Sequence, residues 1–479
     1  MKNYKLITMI ISLLYLSLSS SAANRSATIT VHIDDQELIT QKMRLLLQDE
    51  YIYNGLCSVT MVTHADSNGD FLFEIKDIKK YKKIQLEFDE LPFLFGYVEP
   101  GDKIKIRYSG STHKITKVKD FEFSGPGSAK LALATKFEYG TGIRYKNISR
   151  TSVYDQLKLD SLVKFADEQY AFKLDIVNSY RSQISITMKS LYQAEAFGIS
   201  YTHALSHFDL KKDLNMSREN VDYLIHEIEK RDLNNQNPVS SNSPAYLEFL
   251  WKKSQFKVSQ DSSISRGKFY SSIFKDLMSR YTGQVREKAI LYYICADTHV
   301  KFSEDASWVY QNSLAQMSTA QHRKFLQSVI DSRRLGVKAF DFKLTNLKGD
   351  TVYLHDFKGK VVVLDAWYSG CGGCAGLAKV IKASVLPKFG NNKDVVFVAV
   401  NIERTKKQWL DGLKSGLYTN EQSVNLSTYG LGLHHPLFQY YNFFSLPQLL
   451  LIGKDGNLIS MDLVRNGDKI NERIKKALD

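Results

Sequence analysis

Three textures follow one another along the chain, and together they predict a multidomain protein. An N-terminal antiparallel β-sandwich-like domain is followed by an all-α middle region and a C-terminal α/β domain. The first texture is polar–apolar alternation, as in Thr28-Ile29-Thr30-Val31-His32-Ile33, the period of a half-buried strand. The second is a stretch between Pro126 and Pro238 without proline, in which apolar residues recur at helical spacing. The third is the β-branched run Val361-Val362-Val363-Leu364, which reads as a buried strand leading into a helix. The resulting parts are 1–23, 24–125, 126–335 and 336–479. A length of 479 residues fits this division at roughly 150 residues per domain.

The chain opens with a leader. Lys2 and Lys5 precede an apolar stretch from Leu6 to Leu18, and Ser21 and Ala23 satisfy the small-x-small rule for cleavage, so the mature start falls near Asn24. A membrane anchor needs about 20 apolar residues, more than this run offers. No cysteine precedes Cys57, which excludes a lipoprotein anchor. Loss of Lys2 and Lys5 lowers the net charge from +13 to +11. The basic residues are spread along the chain without a long run, so the charge reads as a solvated surface and predicts no nucleic-acid partner. Four cysteines in so long a chain exclude a disulfide-stapled scaffold.

In the β region, Ser58–Thr63 and Phe71–Ile75 flank Asp66-Ser67-Asn68-Gly69-Asp70, and Asn-Gly between β-rich runs predicts a hairpin. Ile84–Phe88, Leu94–Val98 and Ile104–Tyr108 continue the strands, with a turn at Pro100-Gly101-Asp102. The helical region shows apolar residues at Leu157, Leu162, Phe165, Tyr170 and Phe172. A polar break at 237–244 precedes helices over 268–280, 285–300 and 306–317. Ser318-Thr319-Ala320-Gln321 predicts a capping box and a helix to about Arg334. The α/β region reads as a hairpin around 346–350, the strand at 361–364, a helix, a strand at 395–402, a hairpin around Gly453-Lys454-Asp455-Gly456 and a closing helix at 470–478.

The segment that carries chemistry is Val361–Gly376, in which a buried strand ends and Cys371-Gly372-Gly373-Cys374 opens a helix. Two intervening residues place both sulfurs in the first helical turn, within reach of a disulfide. The helix start stabilises a thiolate at Cys371. At pH 7 a thiol of pKa about 8.5 is roughly 3% ionised and one of pKa about 7 is half ionised. Lower basicity offsets most of that gain, leaving about three-fold in attack rate. The larger benefits are a better leaving thiolate and a resolving thiol already in place. Asp365, in the buried strand, is expected to have a raised pKa and to accept the proton of Cys374. Pro447 stands just before the apolar run Leu449–Ile452, where proline tends to interrupt a strand. A cis Leu446–Pro447 bond accounts for it and exposes the Leu446 backbone beside the cysteines.

Residues 338–479 resemble the thioredoxin fold, and in particular the envelope TlpA/ResA-type thiol-disulfide oxidoreductases. The likeness is carried by Phe340-Asp341-Phe342-Lys343-Leu344, by Asp356 through Trp367, by the CGGC motif, by Leu446-Pro447 and by Gly453–Gly456. It implies that Cys371 attacks a substrate disulfide and Cys374 resolves the mixed disulfide, with Asp365 as the buried acid and Pro447 as the cis-proline. A wider likeness to larger envelope members rests on Glu99-Pro100-Gly101-Asp102 and Phe123-Ser124-Gly125. Gly370 replaces the usual aromatic before the first cysteine and Gly373 the usual proline before the second, and the all-glycine dipeptide Gly372-Gly373 is expected to make the loop less rigid and alter the reduction potential.

The candidate site is therefore Cys371, Cys374 and Asp365 for catalysis, with Leu446, Pro447, Gly372, Gly373 and Trp367 for substrate contact, Trp367 also being a natural core residue. No cofactor is implied beyond the Cys371–Cys374 disulfide. A metal site is not implied either, because His434-His435 lacks a nearby Cys or carboxylate pattern. Cys57 and Cys295 read as buried thiols. The partners implied are a protein disulfide and a membrane electron donor, and the sequence is silent on oligomeric state. Two other functions remain compatible: a peroxiredoxin-like peroxidase, although the Pro-x-x-x-Thr-x-x-Cys arrangement is absent, and an envelope binding protein that uses residues 24–335 to recruit a partner.

Overall fold

A computed structural model of the chain describes residues 25–48, 59–88, 92–110, 117–139, 156–206, 217–296, 305–443, 445–461 and 466–479. The leader at 1–23 and Cys57 lie outside these residues. The chain divides into two compact units, one within residues 1–297 plus 307–309 and the other within 298–306 plus 310–479.

Among the described residues the first unit begins with eight strands: β1 Ala27–Ile33, β2 Met43–Gln48, β3 Val59–Thr63, β4 Asp70–Ile75, β5 Lys82–Phe88, β6 Pro92–Val98, β7 Lys103–Tyr108 and β8 Phe121–Ser124. They form two four-stranded sheets, ordered β4-β1-β7-β8 and β3-β2-β5-β6. Alternation turns Ile29, Val31, Phe71 and Phe73 of one sheet and Leu45, Leu47, Ile84 and Leu86 of the other into one shared core. The expected sandwich is thus present, with one departure: β1 and β7 pair in parallel while the other ladders are antiparallel.

The hairpin read around Asn68-Gly69 is corrected. The turn itself forms, with Gly69 at φ +83° and the Asp66 carboxylate accepting the amides of Asn68 and Asp70 at 2.8 and 3.0 Å. The strands on either side then part into different sheets, β3 pairing with β2 and β4 with β1. Turn chemistry is local, whereas the choice of pairing partner is set by which core each apolar face joins. The central strand β2 has the near-continuous apolar sequence Leu45-Leu46-Leu47, which gives no alternation to read.

Among the described residues this unit continues with helices α1 Ser128–Tyr139, α2 Gln156–Ser179, α3 Ile186–Ser206, α4 Arg218–Arg231, α5 Pro244–Ser259, α6 Phe269–Arg280 and α7 Gly283–Ala296. The apolar spacing in α2 is realised at Leu162 and Phe165, both buried. The polar break ends where Ser243 caps α5 by accepting the Tyr246 amide, with Pro244 in the first turn. Cys295 is buried in α7.

The Glu99–Asp102 turn and the start of α1 are locked by a buried cation. Lys130, 3% exposed, donates to Asp102 Oδ1 at 2.8 Å and to Glu99 Oε2 at 3.0 Å. Asp102 also accepts the Glu99 amide, and Ser185 of the following helical layer donates to Glu99. The two short motifs around 99–102 and 123–125 meet here, since the Lys103 amide donates to the Pro126 carbonyl at 2.9 Å.

Helices α8 Ala306–Ala315 and α9 Ala320–Ser332 precede the α/β part. The capping box read at Ser318–Gln321 is corrected: α9 is capped by Thr319, one residue later, without a side-chain cap bond. The displaced start removes the N-cap-to-N3 spacing that a serine–glutamine box requires.

In the second unit, a seven-stranded sheet has the order β10-β9-β13-β12-β11-β14-β15. Its strands are β9 Lys343–Asn346, β10 Thr351–Tyr353, β11 Val361–Trp367, β12 Val395–Asn401, β13 Val424–Ser427, β14 Gln448–Ile452 and β15 Leu458–Ser460. Strands β11, β12 and β13 are parallel, and the others join antiparallel. Helices α10 Gly372–Val380, α11 Lys406–Lys414, α12 Pro436–Tyr441 and α13 Gly467–Leu478 flank it. A π turn at Ile381–Val385 and a last turn at Leu386–Phe389 prolong α10. Both hairpins, the two buried strands and the closing helix appear as expected. Strand β13 and helices α11 and α12 were not anticipated. Val362, Leu364 and Ala366 enter the core on one face of the sheet, and Val361 and Val363 that on the other.

Because Lys130 is the cation for two shielded carboxylates, Lys130→Met is expected to destabilise the first unit by about 3 kcal/mol, since breaking a buried pair strands its partners. The shift should appear as a lower urea midpoint followed by circular dichroism. An unchanged midpoint would mean that water replaces the cation at Asp102.

Candidate active site

The site is built where the parallel strands end. Strand β11 finishes at Trp367, residues 368–370 turn, and Cys371 caps α10. Gly370 takes φ +88°, the left-handed conformation that brings the chain round into the helix. Cys371 is extended, and its Sγ accepts the Cys374 amide at 3.1 Å. The sulfur thus occupies the position of a capping oxygen, at the positive end of the helix dipole. The two cysteines form a disulfide, with Cα atoms 5.2 Å apart. Cys371 is 5% exposed and Cys374 3%, so both are buried in this disulfide form.

The turn before the cysteines is clamped from below. The Ser369 amide donates to Glu403 Oε1 at 2.6 Å, and the Gly370 amide donates to Tyr418 Oη at 2.8 Å. Glu403 is itself placed by its amide, which donates to Asn401 Oδ1 at the end of β12. The Trp367 carbonyl accepts the Ile402 amide at 3.1 Å, tying the ends of β11 and β12 together. Beneath the disulfide, Trp367, Ala399, Trp409 and Tyr418 form one apolar cluster with both cysteines. The Trp367 and Tyr418 rings stack at 5.3 Å and 6°. Helix α11 approaches closely because residue 412 is glycine: a Cβ there would lie 2.7 Å from the Trp367 ring and 2.7 Å from Ser369 Oγ.

Asp365 lies two residues before Trp367, so the period of the strand puts both on the cysteine face of the sheet. It is half-buried, and burial pushes its pKa up to about 7 from the ordinary 3.8. Its own backbone hydrogen bond opposes the shift, and no neighbouring charge contributes to it. Antiparallel pairing of Asp365 with Leu449 and Ala366 with Gln448 brings the start of β14 beside the end of β11. The Leu446–Pro447 bond there is cis. Pro447 is buried, and Leu446 packs against the cysteine cluster. Gln448 Nε2 donates to the Ser445 carbonyl at 2.7 Å, closing the loop that presents them.

Of the residues singled out from sequence, Cys371, Cys374, Trp367 and Leu446 share one cluster, Asp365 faces the same side, and Pro447 arrives through the strand register. Gly372 is exposed and Gly373 partly so. Trp367 is fully buried (0%), so it supports the cysteines from beneath and offers no surface to a substrate. Glu403, Trp409, Gly412 and Tyr418 were missed. Trp409, Gly412 and Leu413 share the buried helical face of α11, a spacing that could have marked them. His435 is a cap: its Nδ1 accepts the Leu437 amide and its Nε2 faces the Lys343 carbonyl at 2.9 Å. Among the described residues there is no group of three or more His, Cys, Asp or Glu placed to hold a metal ion.

Residues 334–477 match the Redoxin family. The chain is 26% identical over 153 residues to the thiol-disulfide oxidoreductase ResA of Bacillus thuringiensis (strain Al Hakam), covering 31% of this chain and 79% of that protein. The ResA protein of Bacillus anthracis gives the same values. Among solved structures, the thioredoxin domain of a thiol-disulfide oxidoreductase from Bacteroides vulgatus is 24% identical, with 30% of this chain and 99% of that one covered and a TM-score of 0.26. A thiol:disulfide interchange protein from a Bacteroides species is 23% identical, with 30% and 90% covered and a TM-score of 0.24.

The C-terminal unit is a redoxin-type, thioredoxin-like α/β domain with a cysteine pair at the head of its first flanking helix. Its likeness to the ResA oxidoreductases is distant and confined to about the last third of the chain.

The raised pKa of Asp365 has a definite sign for stability. Between 3.8 and about 7 the folded chain holds a proton that the unfolded chain releases, so stability is full below the lower value and falls as pH rises through the upper. Asp365→Asn, which mimics the protonated acid, should therefore stabilise this domain at pH 8 by about 2–4 kcal/mol and hardly at all at pH 4. Denaturant titrations at the two pH values check this, and an equal effect at both would refute burial as the cause.

Proposed function

We propose that this chain is an exported thiol-disulfide oxidoreductase that reduces protein disulfides through Cys371 and Cys374, with residues 336–479 as its redox domain. The observation that carries the reading is the placement of Cys371 Sγ as the cap of α10, with Cys374 one turn on and already bonded to it. The names of the ResA relatives support the same chemistry.

In the reduced protein the Cys371 thiolate attacks one sulfur of a substrate disulfide. A mixed disulfide forms, and the other substrate sulfur leaves as a thiolate, which takes up a proton. Asp365, ionised above about pH 7, accepts the proton of Cys374. The Cys374 thiolate then attacks Cys371 Sγ, and the second substrate sulfur leaves. Two electrons have passed to the substrate, and the protein is left with the Cys371–Cys374 disulfide. A dithiol donor at the membrane is proposed to reduce it again. Substrate backbone would lie along Leu446 and Pro447, over the bare surface at Gly372 and Gly373.

The leader-like sequence at 1–23 is the basis on which the activity is proposed to lie in the cell envelope. Among the described residues no helix is long and apolar enough to cross a membrane. The direction of net flow depends on the potential of the pair. A value near −270 mV, as in thioredoxin, favours reduction of substrates, and one near −120 mV favours oxidation.

Insulin reduction driven by dithiothreitol tests the proposal. Cys371→Ser is expected to abolish the protein-dependent rate, and retention of full activity would overturn the reading. In the wild type the rate should rise with pH to a plateau above about 7, because resolution needs the Asp365 carboxylate. Asp365→Asn is expected to lose that limb and to be slower by about 10²-fold at pH 8, the range for a general base. A pH profile unchanged in the variant would remove Asp365 from the mechanism.

A further inference from the structure

The second unit contains a cavity of about 330 Å³ that none of the redox chemistry uses. It opens at the beginning of β11, where Val362 lines it, whereas Cys371 lies beyond the other end of that strand. Seven residues of strand separate the two ends by about 20 Å. Val362 also belongs to the core on the face opposite Asp365 and Trp367.

The floor of the cavity is aliphatic. Leu354, Val362 and Ile452 are buried there, and Ala339 and Phe357 close its sides. The rim is charged, and its charges can be accounted for one by one. His355 Nδ1 and Asp341 Oδ2 are 2.7 Å apart, and the carboxylate raises the histidine pKa, so these two satisfy each other. Lys338 donates to the Asp455 carbonyl at 2.5 Å. The Asp455 carboxylate accepts the backbone amide and the side-chain Nδ2 of Asn457, at 2.9 and 2.7 Å. Lys358 and Lys360 line the cavity and make no ion pair with any described residue. Hydrogen bonds to neutral groups leave the charges of Lys338 and Asp455 in place, so Lys338, Lys358 and Lys360 stand against Asp341 and Asp455, and the net charge at the mouth is positive above an apolar floor.

We propose that this cavity binds a small aliphatic monocarboxylate, its acyl chain against Leu354, Val362 and Ile452 and its carboxylate held by Lys358 and Lys360. The volume lies at the lower end of the range of about 300–1,000 Å³ usual for small-molecule sites, which suits a medium-length chain. Burial of an apolar tail supplies affinity, and the two lysines select for the anion.

Isothermal titration of the full chain with sodium octanoate tests this. One saturable site is expected, and a Cys371→Ser/Cys374→Ser variant should bind as the wild type does, which separates this site from the redox pair. Lys358→Glu/Lys360→Glu, at two exposed positions, should weaken binding at least ten-fold while leaving the circular dichroism unchanged. Octan-1-ol should bind at least ten-fold more weakly than octanoate. Absence of saturable octanoate binding, equal affinity in the double lysine variant, or equal affinity for the alcohol would each overturn the proposal.

Discussion

The geometry at the cysteines depends on the burial of Trp367. This last residue of β11 lies flat on Tyr418 and is touched by α11 at Gly412, so the level at which the strand ends is fixed from beneath. The next two amides are then committed to Glu403 and Tyr418. What reaches the helix start is a single sulfur in the capping position. The Gly372–Gly373 dipeptide cannot supply rigidity itself, since glycine accepts a wide range of backbone angles. Precision at Cys371 has to come from the residues before it, and the clamp supplies that. Loosening the platform would therefore disturb the chemistry without touching either cysteine.

Asp365 shows the opposite use of burial. Nothing of opposite charge offsets its desolvation, so the protein carries a carboxyl that ionises only near neutrality. A structural aspartate would be expected to gain a partner that holds it ionised. In the proposed mechanism, burial sets its basicity close to the working pH. Stability is lost above neutrality at the position that takes up a proton in the proposed mechanism.

Local chemistry was legible in the sequence, and assembly was not. A buried strand running into Cys-x-x-Cys, an acid within that strand and a proline before an apolar run are each written in consecutive residues, and each was found at its expected place. The clamp is not written that way. Glu403, Trp409 and Tyr418 come from 32 to 47 residues after Cys371 and meet it only through the parallel register of β11 and β12. The parting of β3 and β4 has the same origin, because their turn is local and their partners are distant. Glu99–Asp102 carried little signal on its own, and its meaning emerges only with Lys130, buried 28 residues beyond Asp102.

The two ends of β11 also bear on one another. Val362 and Trp367 are five residues apart on opposite faces of a strand that is hydrogen-bonded on both sides, to β12 and to β14. Such a strand has no second register to move into, because a slip by one residue would turn every side chain to the wrong face. Occupation of the cavity near Val362 thus has no two-state element through which to retune the cysteines, and coupling between sites requires one. A carboxylate bound there would act by what it adds to the surface of the domain, or by stabilising the folded state through mass action. The redox potential would be set independently, by the turn, the helix start and Asp365.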